Sequence, residues 1–449
     1  MSAMTSHRPA ALALGLALGV LTGTTLAGCG SHAQPTSSPV PAPTSSGAVP
    51  GDPHIILPTE PGVVDVMPLW VDGTGRLAFD ALGRVLDQRY GGTVTLHDMV
   101  ASGTRDGLVD PARHLDALGT RAGRAGADDV ALGRVQGVSG LYYELDLGAV
   151  WPAGLEDDLA LGGELYALPY AVERTNLLWS DRGALADAGL DPDATYATVH
   201  DWIDALHTID DAGEQAIVVG ADWTQLLLLE NLLLAEVGPH ELTDLWAGRG
   251  DWAAPSVARA IAELREILDL ANDDRATLSD GDLGTRVGKG KAAFAVMGGW
   301  LVEAVGDRHR VAGEDYGVAP VPGTVGSFAF RDESFGQGAT STHPDRARAW
   351  LETASSAPGQ SATARVARGT IPVRTDVDPA GLTALQRSTM ADWRSDDLVL
   401  STVAGGPLTI GGTQRLAARV AAFGDGKIGA SDLVAALVEA TGASSGGAS

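Results

Sequence analysis

The side chains able to do chemistry are unevenly represented along the 449 residues: 57 Asp and Glu and ten His, but a single Cys, Cys29. No H-E-x-x-H or other close histidine pair has metal spacing, and His200 and His207 read as solvated helix positions. One thiol makes neither an intrachain disulfide nor a cysteine zinc site. Gly73-Thr-Gly-Arg-Leu-Ala78 fits the G-x-G-x-x-A of a dinucleotide loop, with Asp98 after the next strand, but Trp70-Val-Asp72 intervenes between the preceding strand and the glycines. Gly284-Thr-Arg-Val-Gly288-Lys289 is one residue short of a phosphate loop and lacks the Ser or Thr that would follow the lysine to bind magnesium. The one G-x-S-x-G match, Gly442-Ala-Ser-Ser-Gly446, falls in the small, polar C-terminal tail and not between a strand and a helix, and no nucleophile is singled out with its base. Two of the many carboxylates need only meet in space to make a glycosidase pair, so an exported carbohydrate-active hydrolase stays open as an alternative. No cofactor and no metal are expected.

The aromatic set carries a different signal. Ten Trp outnumber seven Tyr and six Phe. Indole is large and seldom fully buried, so an excess of it hints at aromatic surface held for a ligand. The formal charge of −26 repels phosphate backbones, which excludes a general nucleic-acid partner.

The N-terminus accounts for the cysteine. Pro9 opens the apolar run AALALGLALGV, about half the roughly 20 residues that a membrane span needs. It leads into Leu26-Ala27-Gly28-Cys29. This arrangement resembles a bacterial lipoprotein signal, which implies removal of residues 1–28, acylation of Cys29 and a lipid anchor on the outer face of the cell membrane. Residues 29–58 are rich in Pro and Ser and read as a disordered linker; the small, polar 442–449 reads as a disordered tail.

Strands and helices alternate in between. Val63 to Trp70 reads as a buried strand, Thr74 to Arg89 as an amphipathic helix with Ala78, Leu82, Val85 and Leu86 on one face, and Thr93 to Leu96 as a second strand, an opening of the α/β class. Further strands are expected at Gln215 to Gly220, Ala292 to Met297 and Gly317 to Val321. Further helices are expected at Gln225 to Glu236, at Ser256 to Leu270 with a Ser cap, at Asp345 to Ser355 and at Asp432 to Glu439.

Several ordered segments resemble the extracellular solute-binding proteins of ABC importers, of the maltose and oligosaccharide type. They are Glu164-Leu-Tyr-Ala-Leu-Pro169-Tyr-Ala-Val-Glu-Arg-Thr-Asn-Leu-Leu-Trp179, Gly290-Lys-Ala-Ala-Phe-Ala-Val-Met-Gly-Gly-Trp300, Asp315-Tyr-Gly-Val-Ala-Pro320, Ala347-Arg-Ala-Trp-Leu351 with Ser356-Ala-Pro-Gly-Gln360, and Gly369-Thr-Ile-Pro-Val-Arg374. The resemblance implies a type II periplasmic-binding-protein fold: two α/β lobes with a hinge and a cleft between them. Lobe 1 would comprise 59–172 plus 327–372, and lobe 2 would comprise 173–326 plus 373–441. It implies a monomer that binds a mono- or oligosaccharide without breaking a bond and hands it to membrane permease subunits. A sensor or scaffold on the same fold, with no cleft ligand, is a second alternative.

On this reading Trp70, Trp223 and Trp300 follow strands at crevice positions, where an indole plane suits the C–H face of a sugar ring. Tyr170, Glu173, Glu333, Phe335 and Arg374 stand beside them as partners for hydroxyl groups or as neighbours of a glycine-rich loop. Trp202 and Trp350 fall within helices and are assigned to packing.

Overall fold

The computed structural model describes residues 60–70, 73–99, 115–306, 310–403 and 406–443. All belong to one compact unit, His54–Ser449. The signal segment 1–28, Cys29, the linker 29–58 and residues 444–449 of the tail lie outside the described residues.

The chain opens as strand, helix, strand. β1 (Gly62–Met67) and β2 (Val94–Asp98) pair in parallel with Gly62 opposite Val94, connected by the Gly73–Tyr90 helix. That helix buries Ala78, Leu82, Val85 and Leu86, the stripe that its 3.6-residue period places on one side. β3 (Ala117–Thr120) lies parallel on the other side of β1. Then follow β4 (Val135–Gln136), β5 (Leu168–Arg174), β6 (Leu177–Asp181), β7 (Phe294–Met297), β8 (Tyr316–Pro320), β9 (Ser327–Gly338) and β10 (Asp397–Leu400).

Two sheets result, one in each lobe. The first runs β10-β9-β3-β1-β2, and its twelve-residue β9 also pairs with β4 and β5. The second is an antiparallel triplet, β7-β6-β8. Leu82, Phe330, Phe335, Trp350 and Trp393 belong to the core beside the first sheet. Trp202, Leu229, Leu233, Leu264 and Phe294 belong to that beside the second. Each such side chain withdrawn from water contributes about 2 kcal/mol before conformational entropy is charged against it.

Three expectations are modified. Gln215 to Gly220 forms no extended strand; Ile217 alone bridges to Phe294 and Ala271. The second amphipathic helix spans Pro255–Asp269 with Ala254 as its cap, because Pro255 takes the first helical position, where its fixed φ and missing N–H cost nothing. Val373, Val377, Leu382, Met390 and Trp393 pack in the first lobe's core, so the chain leaves that lobe after β10 rather than at 372. The leucine-rich helix Asp222–Trp246 is buried nearly all round in its first half and kinks at Gly238, whose φ of 78° precedes Pro239.

The chain crosses between lobes at Arg174 to Asn176, at Val321 to Ser327 and after β10. A buried polar cluster fixes these crossings together. Arg174 donates to Asn176 Oδ1 at 2.9 Å, to the Ser327 carbonyl at 2.9 Å and to Asp392 Oδ2 at 2.5 Å. Asn176 Nδ2 donates to Thr324 Oγ1 at 2.9 Å. An arginine that is 2 % exposed is tolerated there because its donors are met by carbonyl and carboxylate oxygens.

Candidate functional site

A cavity of about 720 Å³ opens between the lobes. From the first lobe come Trp70, the start of the Gly73–Tyr90 helix, Arg121, Tyr170, Glu173, Arg331, Glu333, Thr363 and Thr370; from the second come Trp223, Asp280, Trp300 and Glu303. A chamber of about 530 Å³ adjoins it and shares Ala125, Trp223, Val403 and Ile410.

The backbone explains how each indole arrives. Trp70 follows β1, and Gly73, Thr74 and Gly75 line the cavity behind it. A Cβ on Gly75 would lie 2.3 Å from Trp70 Cβ. The second glycine of the dinucleotide-like signature therefore makes room for this protein's own indole rather than for a pyrophosphate. Trp223 lies in the first turn of the Asp222–Trp246 helix, and Trp300 sits in the short turn Gly299–Leu301 after β7. Their ring centroids are 6.4 Å apart with planes inclined at 37°. Of the other seven tryptophans, Trp179, Trp202, Trp246, Trp350 and Trp393 are almost fully buried, and Trp151 and Trp252 nearly so.

The polar wall is built on β9, where the two-residue period puts Arg331 and Glu333 on one face. Trp70 Nε1 donates to Glu333 Oε2 at 2.8 Å, fixing the indole plane. Arg121 Nη1 lies 3.3 Å from Glu333 Oε1 and also donates to the Asp332 carbonyl. Arg331 bonds Glu173 and places its guanidinium carbon 4.0 Å from the Trp300 ring centroid and 5.9 Å from that of Trp70. These are cation–π distances. Burial pushes the Glu173 carboxyl above its ordinary range, and the charge of Arg331 pulls against that. Burial likewise opposes charge on Arg331, but Glu173 and Glu333 outweigh it, and its pKa is raised. Burial, aided by the charge of Glu333, holds the Tyr170 hydroxyl far above the phenol range, so it serves as a donor.

The lobes also touch directly. Arg368 Nη2 donates to Glu303 Oε2 at 2.6 Å, and the Arg368 backbone N–H donates to Glu303 Oε1 at 3.2 Å. Beside this pair the two backbones meet: a Cβ on Gly299 would lie 2.5 Å from the Gly369 carbonyl oxygen, and one on Gly369 would lie 2.7 Å from Gly299 carbon. Only glycine allows that approach.

Six of the eight residues named from sequence line the cavity: Trp70, Tyr170, Glu173, Trp223, Trp300 and Glu333. Phe335 does not. It is 1 % exposed and stacks beneath Tyr170 at 5.0 Å, filling core against Phe79 and Trp350. Arg374 also lies elsewhere, with its guanidinium on Asp376 at 2.9 and 2.7 Å, a local ion pair. Sequence reasoning missed Arg121, Arg331, Glu303, Asp280, Thr363 and Thr370. Only Arg331 had a readable signal, its two-residue offset from Glu333. Among the described residues no group of side chains is arranged to hold a metal.

Two α/β lobes, three chain crossings and an aromatic, ion-paired cavity lined from both sides define a two-lobed solute-binding protein. The chain belongs to the bacterial extracellular solute-binding protein family, whose pattern matches residues 117–361. It is 23% identical over 348 residues to an ABC transporter extracellular-binding protein of Pyrococcus horikoshii, covering 74% of this chain and 76% of that one. It is 30% identical over 291 residues to a xylose/arabinose-binding protein of Haloferax volcanii, covering 61% of each. A solved chitin oligosaccharide binding protein superposes with a TM-score of 0.69 at 16% identity, over 85% of this chain and 98% of the other, a likeness of fold. Among the described residues no helix is long and apolar enough to cross a membrane.

Proposed function

We propose that this protein captures a mono- or oligosaccharide between its lobes and delivers it to the permease of an ABC importer, tethered meanwhile through acylated Cys29. The observation that carries this reading is the convergence of Trp70, Trp223 and Trp300 from both lobes on one cavity, interleaved with a set of Arg–Glu pairs. A sugar ring presents C–H faces to indole planes and a rim of hydroxyls that give and accept hydrogen bonds, which is what these side chains offer. The relatives named for sugars favour the same ligand class. The cavity carboxylates Glu173 and Glu333 are each engaged by an arginine, an arrangement that suits holding a ligand more than donating a proton to a glycosidic oxygen. Closure of one lobe on the other would bury the sugar and present an altered outer surface to the permease.

The test is a titration of intrinsic tryptophan fluorescence with pentoses, hexoses and their short oligomers, repeated on Trp223→Ala and Trp300→Ala. Saturable binding without turnover that weakens in both variants supports the reading. Hydrolysis of any oligomer would move it to the enzyme class. Replacing Cys29 by Ala is expected to shift the protein from the membrane fraction to the medium.

A further inference from the structure

The chamber that adjoins the cleft is built unlike the cavity it opens into. The Ile410–Gly424 helix starts at its Thr409 cap, whose hydroxyl accepts the Gly412 N–H at 3.2 Å. It lines the chamber with Ile410, Thr413, Gln414 and Ala417, the spacing of one helix face. Val403 and Leu408 add branched aliphatic surface, and the small side chains of Ala125 and Ala417 leave a volume of about 530 Å³ open between them. Trp223 is the single aromatic group in this lining among the described residues, and it stands in the wall shared with the larger cavity. No guanidinium group lines the chamber among the described residues, whereas Arg121 and Arg331 line the larger cavity. The chamber's one carboxylate, Asp222, is exposed and accepts the Trp223 N–H at 2.9 Å. The Thr413 hydroxyl donates to the Thr402 carbonyl at 3.4 Å, and Gln414 lies at the exposed edge. Ile410 leaves 53 % of its surface exposed at the helix start.

A sugar ring needs flat aromatic surface for its C–H faces and directional partners for its hydroxyls, and the larger cavity supplies both. In the chamber, hydroxyls set against Val403, Leu408 and Ile410 would give up hydrogen bonds to water and find none in exchange. An apolar group there forfeits no hydrogen bond, and it withdraws its own surface and that of the exposed isoleucine from water. Because Trp223 borders both spaces, a ligand held in the larger cavity reaches the chamber through a substituent on one ring. Resting on the carbohydrate reading above, we propose that the ligand is a glycoside with an apolar aglycone: the sugar occupies the larger cavity, and an aryl or short alkyl group enters the chamber past Trp223.

The experiment compares xylose, glucose and galactose as free sugars, as disaccharides, and as methyl, butyl and phenyl glycosides of both anomers. Each is titrated calorimetrically into the full protein, into Ile410→Asn and into Gln414→Leu. In one anomeric series affinity is expected to rise about threefold per methylene from methyl to butyl, and the phenyl glycoside to bind about tenfold more tightly than the methyl. Ile410→Asn lowers that phenyl-to-methyl ratio severalfold, and Gln414→Leu, which adds apolar surface at the exposed edge, raises it. Equal affinity for phenyl and methyl glycosides, or a ratio unmoved in both variants, overturns the proposal. If the disaccharides gain affinity over the free sugars and the phenyl glycosides do not, the chamber takes a second ring, the proposal fails and the carbohydrate reading stands. Binding of no sugar in any form removes both.

Discussion

Glu230 offers a measurement of how the floor beneath the cleft is held. It lies in the buried first half of the Asp222–Trp246 helix, 1 % exposed, and its Oε2 accepts the Thr402 N–H at 2.7 Å. Thr402 and Val403 continue from β10 into the wall of the two chambers. The Oε1 of Glu230 and the hydroxyls of Ser401 and Thr402 are buried without a hydrogen-bond partner among the described residues. Burial raises this carboxyl from its ordinary 4.5 to about 7, against the pull of the hydrogen bond it accepts from the Thr402 N–H. A carboxyl whose folded pKa is raised favours the fold when protonated. Its contribution is complete below pH 4.5 and is lost as pH climbs through about 7. A displacement of two to three pKa units at 1.36 kcal/mol each is a loss of about 3 kcal/mol by mildly alkaline pH.

Glu230→Gln keeps the shape, retains an acceptor for the Thr402 N–H and cannot ionise. It is expected to match the native protein near about pH 4.5 and to exceed it above about pH 8 by about 3 kcal/mol, or about 4 °C in melting temperature for a chain of this size. Thermal unfolding followed by circular dichroism across that range is the assay. Parallel pH profiles for the two proteins would refute the reasoning, since they would mean that Glu230 does not change its protonation between folded and unfolded states.

Other substitutions separate the roles assigned above. Trp300→Ala removes one of two facing indoles and should weaken sugar binding about tenfold by calorimetry, with little change in melting temperature. Phe335→Ala should do the reverse, costing about 3 to 5 kcal/mol of stability in denaturant titrations while the cavity's polar wall remains. Arg174→Met removes the donor to Asp392 and one of the two donors to the Ser327 carbonyl, which keeps Asn176 Nδ2, and should destabilise by about 2 kcal/mol, seen as a lower urea midpoint. Gly369→Ala places a methyl against the Gly299 backbone; affinity should fall and small-angle scattering should report a larger radius of gyration with ligand present, at unchanged secondary structure.

What could be read from the sequence was what local periodicity encodes. The Gly73–Tyr90 helix and its parallel strands follow from an unbroken apolar stripe and two glycines that end it. The three cavity tryptophans were found because Trp70 and Trp300 follow strands at turns and Trp223 starts a helix. Phe335 was misplaced because it shares the two-residue alternation of Arg331 and Glu333, and only the stacking of Tyr170 over it moves it into the core. Arg374 failed for a different reason: Asp376, two residues away, captures it before any cleft partner can. Arg121 and Glu303 were invisible because their roles arise from pairings between segments more than fifty residues apart.

The order of the strands also bears on how the polypeptide is made. β9 sits between β10 and β3 and also pairs with β4 and β5, yet it follows β5 only after the entire β6-to-β8 lobe has been threaded out and back. Until it arrives, β3 and β5 have unpaired edges and the first core lacks Phe328, Phe330 and Phe335. Bringing β5 and β9 together closes a loop of some 150 residues, and such distant pairing makes for slow folding. The first lobe therefore cannot complete itself while the chain is still emerging. The same connectivity that gives the cleft its two walls keeps the polypeptide open longest at the stage when a secretion channel would need it unfolded.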